Sequence, residues 1–435
     1  MKTKTLKRDK VNIITLGCSK NMVDSEVLGG QLFANDIQVV HESAKKDHNI
    51  VIINTCGFID KAKEESVNTI LDQVELKRRG KIEKVYVTGC LSERYKNNLE
   101  QEIPEVDAYF GTFELPQILK KFEINYQSEL VGERLISTPS HYAYLKISEG
   151  CNRTCAFCAI PLMRGAHVSK PIEQLVSEAE LLVRKGVKEI MLIAQELTYY
   201  GLDIYKKREL PRLLHALADI KGLEWIRLHY AYPSKFPVEI LDVIRERDNI
   251  CNYLDMPLQH ASDRMLQAMR RQITSAEMGE LIDTIREKVP GICLRTTLIA
   301  GFPGETLDDV EEMKVFLQKH RFDRVGIFSY SHEEGTSGFS LNDDVPMEEK
   351  ERRAQDVMQV QQEISYEKNK EKIGKIFKVI IDKKESGRYI GRTEFDSVEV
   401  DNEVIINSPY NLTIGDFVQV KITGAFDYDL EGELV

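Results

Sequence analysis

The sequence predicts an α/β protein in three parts: a doubly wound parallel layer, an open partial (β/α)6 barrel, and a small OB-like β-barrel. Three observations predict it. The apolar runs VNIITLGC, NIVIINTC and KVYVTGC alternate with helical-period segments at residues 25–33 and 61–79, the strand–helix rhythm of a parallel sheet. Six further strand-like runs follow, YAYLKIS, EIMLIAQ, WIRLHYA, YLDMPLQ, CLRTTLIAGFP and RVGIFSY, with helix-like stretches at residues 172–185 and 276–288 among them. Six strands exceed a simple mononucleotide unit and fall short of a closed eight-stranded barrel. After Gly374 the pattern changes to short alternating runs, KIFKVIID, RYIGRTEF, SVEVDNEVII and DFVQVKITGAF, divided by Gly, Asn and Asp turns, which read as a small β-barrel.

Two connections separate these parts. A polar stretch around residues 127–141 reads as a linker, and residues 347–372, rich in Glu, Gln, Lys and Arg at helical spacing, read as a long solvent-facing helix. The expected boundaries are 1–126, a linker at 127–140, 141–346, a connecting helix at 347–372, and 373–435.

Composition narrows the function. The chain has 435 residues, 42% hydrophobic and 30% charged, the balance of an ordinary globular protein with more than one core. The basic start MKTKTLKRDK runs into an alternating strand rather than a long apolar segment with a cleavage site, and no run approaches the roughly 18 apolar residues of a membrane span. A cytoplasmic protein with no membrane partner is expected. Eight cysteines in such a chain point to metal or redox chemistry rather than disulfides. The net charge of −11 makes general nucleic-acid binding unfavourable; a basic partner is easier to accommodate.

The strongest local signal is Cys151-Asn-Arg-Thr-Cys155-Ala-Phe-Cys158 after the strand YLKISEG. Three thiolates in one tight loop can wrap a [4Fe-4S] cluster and leave its fourth iron open to a small molecule, unlike the four-cysteine clusters of electron carriers. The competing reading, a zinc knuckle, wants paired C-x-x-C or His spacing that is absent here. A second set, Cys18, Cys56 and Cys90, ends the three opening strands, where a doubly wound sheet gathers its ligands. These thiols are either small buried hydrophobes or ligands of a second three-cysteine cluster; their shared turn-like contexts (LGC, NTCG, TGC) favour the cluster. Cys251 and Cys293 have no partner spacing and read as core.

The C-x-x-x-C-x-aromatic-C loop, with Phe157 as the aromatic, resembles that of the radical S-adenosylmethionine superfamily. Two three-cysteine sets followed by a small β-barrel resemble the methylthiotransferase family over essentially the whole chain. The resemblance runs through LGCSKNMVDSE, NTCGFIDKAKEES, SEGCNRTCAFCAIPLMRG, AQELTYYGLD, MPLQHASDRML and AGFPGET. It implies a flavodoxin-like N-terminal domain, a radical barrel and a C-terminal TRAM domain, with two 4Fe-4S clusters and S-adenosylmethionine as radical source and methyl donor. In that family the radical removes hydrogen from carbon and the auxiliary cluster delivers the sulfur of a methylthio group.

Family members act either on tRNA adenosines or on an aspartate of small-subunit ribosomal protein S-12. Three of these segments, LGCSKNMVDSE, NTCGFIDKAKEES and AQELTYYGLD, look like the ribosomal-protein branch. From Glu371 to Val435 acidic side chains outnumber basic ones by five, a surface suited to a cationic ribosomal protein, which disfavours tRNA. The expected activity is therefore methylthiolation of the aspartate β-carbon to 3-methylthioaspartate, with tRNA adenosine methylthiotransfer and a non-catalytic iron-sulfur scaffold or electron carrier as alternatives. Such chemistry requires a flavodoxin- or ferredoxin-type electron carrier and a sulfur donor. Two departures from the branch stand out: Glu196 replaces the usual Asp, and Phe395 with Ser397 replaces a commoner Ala-Pro type turn.

Further cofactor-binding candidates are Gln195 and Glu196 at a strand end, Arg227 and His229 on one face of WIRLHYA, and the turn glycines Gly301 and Gly304, with Gln259 and His260 as interior polar residues. Each has a plainer reading as a solvated strand end or ordinary loop polarity. The Gly301 turn is no P-loop, because the Gly-Lys-Ser/Thr ending is missing. The small barrel carries no catalytic constellation, so substrate docking is its expected role.

Overall fold

The computed structural model describes residues 9–43, 47–127, 130 and 132–435. They form two units, one of Met1–Thr138 with Glu149–Asn152 and Ala159–Ala166, the other of Pro139–Ser148, Arg153–Cys158 and His167–Val435.

The first unit is built on a parallel sheet of β1 (Lys10–Thr15), β2 (Gln38–His41), β3 (Ile50–Thr55), β4 (Lys84–Gly89) and β5 (Ala108–Tyr109), in the order β2-β1-β3-β4-β5. This is the flavodoxin-like order. Strand β3 is buried along its whole length, as a central parallel strand covered on both faces must be. Val51, Ile53, Val85 and Val87 turn to one face with Ile70 and Val74 of helix Asp60–Arg78; Val11, Ile13, Ile50, Ile52 and Tyr86 turn to the other with Leu28 and Leu32 of helix Ser19–Phe33. Part of the stretch expected to be a linker lies outside the described residues, and its described residues 134 and 137 are docked on helix Ser19–Phe33. Ser137 donates twice to Glu26, and the buried Arg134 pairs with the same carboxylate at 3.2 Å.

The second unit holds a six-stranded parallel sheet, β6 (Tyr142–Lys146), β7 (Glu189–Ile193), β8 (Trp225–Leu228), β9 (Ile250–Asp255), β10 (Cys293–Ala300) and β11 (Arg324–Ser329), paired in chain order and left open. Two of its covering helices begin with full capping boxes, Thr274/Glu277 and Thr306/Asp309, which satisfy orphan helix N–H groups. Helix Met347–Lys370 packs on β11 and on helix Leu307–His320, burying Arg353, Val357, Gln361 and Ile364. It is thus not the solvent-facing helix its composition suggests. Its buried charges are all partnered, Lys350 with Asp343 at 2.7 Å and Arg353 with Glu349 at 2.7 Å and Glu305 at 3.1 Å, so charged residues here line an inner face.

The C-terminal residues close a barrel of β12 (Ile376–Glu385), β13 (Arg388–Thr393), β14 (Val404–Ile406), β15 (Phe417–Ala425) and β16 (Leu430–Leu434). Two details differ from expectation. SVEVD is a loop between β13 and β14 rather than part of a strand, and the last strand is the unforeseen LEGEL. The loop departs from the ladder because its polar atoms bond to the six-stranded sheet instead: Tyr253 donates to Asp401 at 2.7 Å, and Ser397 meets His229 at 3.0 Å.

This small barrel docks against the amino-terminal ends of the parallel strands. Glu189, the first residue of β7, is fully buried between Arg227 and Arg392, each at 2.8 Å. Arg392 also holds Asp382, which His141 approaches at 2.8 Å, and Arg324, opening β11, pairs with Asp396. Trp225 and Phe417 stack edge to face at 4.8 Å beside Cys251, Tyr253 and Cys293. Burial pushes the Glu189 carboxyl up, but Arg392 and Arg227 together hold it below the ordinary carboxylate range; Asp382 and Asp396 are lowered likewise against their burial. Burial instead raises Asp401, against the pull of Arg295.

Removing one partner of such a group strands a buried charge. Arg392→Met is therefore expected to cost about 3–5 kcal/mol, measured by urea unfolding of the full chain. The three lowered carboxyls contribute stability that is complete above about pH 4.5 and is lost as pH falls through their depressed values; Asp401 works in the opposite direction. Thermal unfolding followed from pH 7 to pH 3 is expected to fall steeply below about pH 4, with a shallower fall in Arg392→Met.

Candidate metal centre

In the first unit, Cys18, Cys56 and Cys90 follow the carboxyl ends of β1, β3 and β4. Parallel strands open all their carboxyl ends on one side, so residues just beyond them gather there. Two glycines permit the approach. Gly17 has φ +88°, and a Cβ there would lie 2.7 Å from Cys56 Sγ; Gly89 has φ +98°, and a Cβ there would lie 2.4 Å from Asn54 Oδ1. Side chains at either position would push the strand ends apart, which is the physical content of the LGC and TGC signatures. Cys18 caps helix Ser19–Phe33 and Cys90 opens helix Cys90–Glu102. Both helices aim positive N-terminal dipoles at the thiols, which favours a negatively charged centre.

Asn21 braces all three segments. Its Nδ2 donates to Leu16 O at 2.8 Å and Thr55 O at 3.1 Å, and its Oδ1 stands 3.7 Å from Cys90 Sγ. Ser66 holds the Cys56 backbone from both sides, at 3.0 Å. Arg164, almost fully buried, points Nε at Cys90 Sγ at 3.3 Å.

Burial pushes the Cys90 thiol up to about 11, with Arg164 pulling the other way, and raises Cys56 as well. Cys18 is exposed. Thiols must lose their protons to bind metal, so burial keeps Cys56 and Cys90 protonated until a metal takes them. Among the described residues no three His, Cys, Asp or Glu side chains close on a point that one metal ion could fill. Thiols that each bind a different iron of a cluster stand further apart than the ligands of one ion, and the donor set, three sulfurs with no oxygen or imidazole, suits a cluster. A cleft of about 470 Å³ lined by Thr15, Leu16, Glu65 and Gln73 opens in the same unit; none of the cysteines lines it, so it lies outside the centre.

Of the other three cysteines, Cys151 belongs to the first unit and Cys155 and Cys158 to the second. Cys151 N donates to Gly165 O at 3.1 Å. Cys155 Sγ receives Arg271 at 3.3 Å and stands 3.9 Å from the Tyr232 hydroxyl. Arg153 lies between the rings of Tyr199 and Tyr232, 4.0 and 3.8 Å from their centroids, and bonds Glu196 at 3.1 Å. Phe157 packs beside Met265, Met269, Phe302 and Tyr330, a buttress for the loop.

The remaining candidates divide. Glu196 is buried with both oxygens engaged, one by Thr198 and one by Arg153; Gln195 beside it is partly exposed. Arg227 is fully buried and bonds Glu189 and the carbonyl of Glu394. His229 meets Ser397 of the small barrel. Both were expected at the cofactor because they share a face of β8, and that face is where the small barrel inserts. Gly301 packs on the buried Lys350, where a Cβ would lie 2.2 Å from Cγ, and Gly304 N donates to Asp344 at 2.8 Å. His260 meets Glu305 at 3.2 Å, and the Gln259 backbone bridges to β10. Cys251 and Cys293 are core thiols, Cys251 pushed up to about 12 by burial and Cys293 raised for the same reason. Asn21, Arg153, Arg164, Arg271 and Tyr232 were not anticipated as site residues, although Asn21, Arg153 and Arg164 lie inside the cysteine-bearing segments.

A flavodoxin-like domain with converging strand-end thiols, a six-stranded open barrel with a three-cysteine loop and a small closing barrel define a radical enzyme of the S-adenosylmethionine class. Residues 145–317 match the Radical SAM superfamily, residues 10–111 the uncharacterized protein family UPF0004, and residues 373–435 the TRAM domain. Among solved structures, the radical S-adenosylmethionine methyltransferase TsrM of Kitasatospora setae shares the fold at a TM-score of 0.55 and 14% identity, over 73% of this chain and 72% of that one. The cobalamin-dependent radical enzyme OxsB aligns at a TM-score of 0.52 and 13% identity, over 80% of this chain and 56% of that one. Curated relatives are far nearer in sequence. The ribosomal protein uS12 methylthiotransferases RimO of Flavobacterium johnsoniae and Cytophaga hutchinsonii are each 58% identical over the full length of both chains, and that of Porphyromonas gingivalis is 52% identical over 99% of this chain and all of its own. The chain belongs to the RimO family of radical S-adenosylmethionine methylthiotransferases.

In the metal-free protein, iodoacetamide at pH 8 is expected to label the exposed Cys18 well before the buried Cys90, whose labelling should rise only as pH approaches 11; equal rates read by peptide mass spectrometry would contradict the burial described above.

Proposed function

We propose that this protein replaces a hydrogen on the β-carbon of an aspartate of ribosomal protein uS12 with a methylthio group, giving 3-methylthioaspartate. The observation that carries the reading is the second set of three thiols, Cys18, Cys56 and Cys90, in a chain that already holds the radical loop Cys151, Cys155 and Cys158. A radical enzyme that only abstracts hydrogen needs one cluster; a second with an open iron supplies a place for sulfur. When bound, the two 4Fe-4S clusters and S-adenosylmethionine supply the radical, the sulfur and the methyl group.

The chain's own residues hold and shield these groups. Cys151, Cys155 and Cys158 would ligate the radical cluster, with Arg271 donating to Cys155 and Phe157 anchoring the loop in an apolar pocket. Gln195, half-buried just past β7, would meet the cofactor, while Glu196 orients Arg153. Gly301 and Gly304 shape a turn beyond β10 near which the cofactor is expected to lie. The excess of acidic side chains in the small barrel favours a cationic protein over tRNA. No helix among the described residues is long and apolar enough to cross a membrane, and all eight cysteines are free, which fits work in a reducing cytoplasm. An electron carrier of flavodoxin or ferredoxin type and a sulfur donor complete the reaction.

Reconstituted protein is expected to hold about eight irons, and Cys151→Ala about four, with loss of 5′-deoxyadenosine formation. Substitution of Cys18, Cys56 or Cys90 by Ala is expected to spare cofactor cleavage and stop sulfur insertion. Mass spectrometry of uS12 and of tRNA nucleosides from a deletion strain separates the substrates: the methylthio group should vanish from uS12 alone, and its loss from tRNA alone would overturn the assignment.

A further inference from the structure

We propose that Arg164 is a positioning residue for the auxiliary cluster: its Nε–H bonds the Cys90 thiolate and raises the reduction potential of the cluster that Cys18, Cys56 and Cys90 hold. The proposal rests on those three cysteines ligating a cluster. Arg164 lies six residues beyond Cys158 in the radical motif, yet within the first unit its side chain is built into the other cysteine set. Its Nε stands 3.3 Å from Cys90 Sγ, its NH1 binds Asp24 at 2.6 Å and Glu149 at 3.3 Å, and its NH2 bonds Asn21 Oδ1. Asn21 in turn holds the carbonyls of Leu16 and Thr55, one just ahead of each other cysteine. Arg164 and Asn21 thus form one clamp on all three strand ends.

The chemistry follows from the donor. Two carboxylates offset the guanidinium charge, so its influence on the cluster is mainly the directed N–H dipole at sulfur. A hydrogen bond to a cysteine sulfur withdraws electron density and stabilises the reduced, more negative cluster; such bonds and the exclusion of water are among the protein's means of setting potentials. Arg164 and Cys90 are both buried, where the bond is stronger than in water. Ala159 and Met163, flanking apolar residues of the same segment, pack on Cys90 and keep the donor in place.

The test uses the full chain with Cys151, Cys155 and Cys158 all replaced by Ala, so that only the auxiliary cluster remains. EPR-monitored potentiometry compares this protein with versions carrying Arg164→Met or Arg164→Lys, alongside iron content. Both are expected to keep about four irons and to shift the midpoint negative. For Arg164→Met the reduced-to-oxidised ratio at fixed potential should fall at least tenfold, or 59 mV for one electron. Arg164→Lys, which keeps the charge but lacks the fork that serves Cys90, Asn21 and Asp24 together, should shift in the same direction. A loaded Arg164→Lys protein with an unchanged midpoint would overturn the proposal even if Arg164→Met failed to load. Cys90→Ala in the same background should lose its iron; retention there would instead overturn the ligand assignment.

Discussion

Everything chemical in this protein depends on one constraint of parallel sheets: every strand delivers its carboxyl end to the same side. In the first unit the residues after β1, β3 and β4 are Cys18, Cys56 and Cys90 or their immediate approach, so three thiols distant in sequence share one crevice. The sheet core does not select cysteine; it selects where cysteine can matter. The final approach is set by the missing side chains of Gly17 and Gly89, without which the strand ends would be held apart.

The opposite ends of the parallel strands serve the other need, stability. Glu189, Trp225, Cys293 and Arg324 open their strands and meet the small barrel through ion pairs set beside one apolar cluster, in which Trp225 and Cys293 pack with Ile380, Phe395 and Phe417. Buried ion pairs gain little net energy over well-packed apolar groups, but each is costly to break singly. The result is an interface that tolerates few alternative placements of the small barrel. It also fixes the loop between β13 and β14, whose Ser397, Asp396 and Asp401 all bond to the six-stranded sheet. The departure from a commoner turn at Phe395 and Ser397 therefore falls at a packed junction, where Phe395 joins the Trp225 cluster.

Much of the fold was legible because its signals are local. Alternation and apolar runs marked the six strands of the second sheet, and the Gly-rich punctuation after residue 374 marked a small barrel. The misreadings share a cause. Helix Met347–Lys370 looked solvated because its buried Lys350 and Arg353 are polar, and the carboxylates of Asp343, Glu349 and Glu305 make that burial tolerable. SVEVD looked like a strand because alternation cannot say whether a neighbouring strand exists, and LEGEL was passed over because two glutamates and a glycine hide a barrel edge. The bonds of Arg227 to Glu189 and to the small barrel went unforeseen because the sequence does not show that a second barrel meets that face of the strand.

The site follows the same division. By itself the sequence singled out the six cysteines as candidates, since the spacing of Cys151, Cys155 and Cys158 and the strand-end placing of Cys18, Cys56 and Cys90 are properties of residues near one another along the chain or of strand periodicity. Only the tertiary structure decided what surrounds the sulfurs: that Arg164, from the radical motif, donates to Cys90, that Asn21 ties three strand ends together, and that Arg271 reaches Cys155. Hydrogen bonds between residues as far apart as 143 positions, as between Asn21 and Arg164, depend on which surfaces meet, and no local pattern in the chain encodes that meeting.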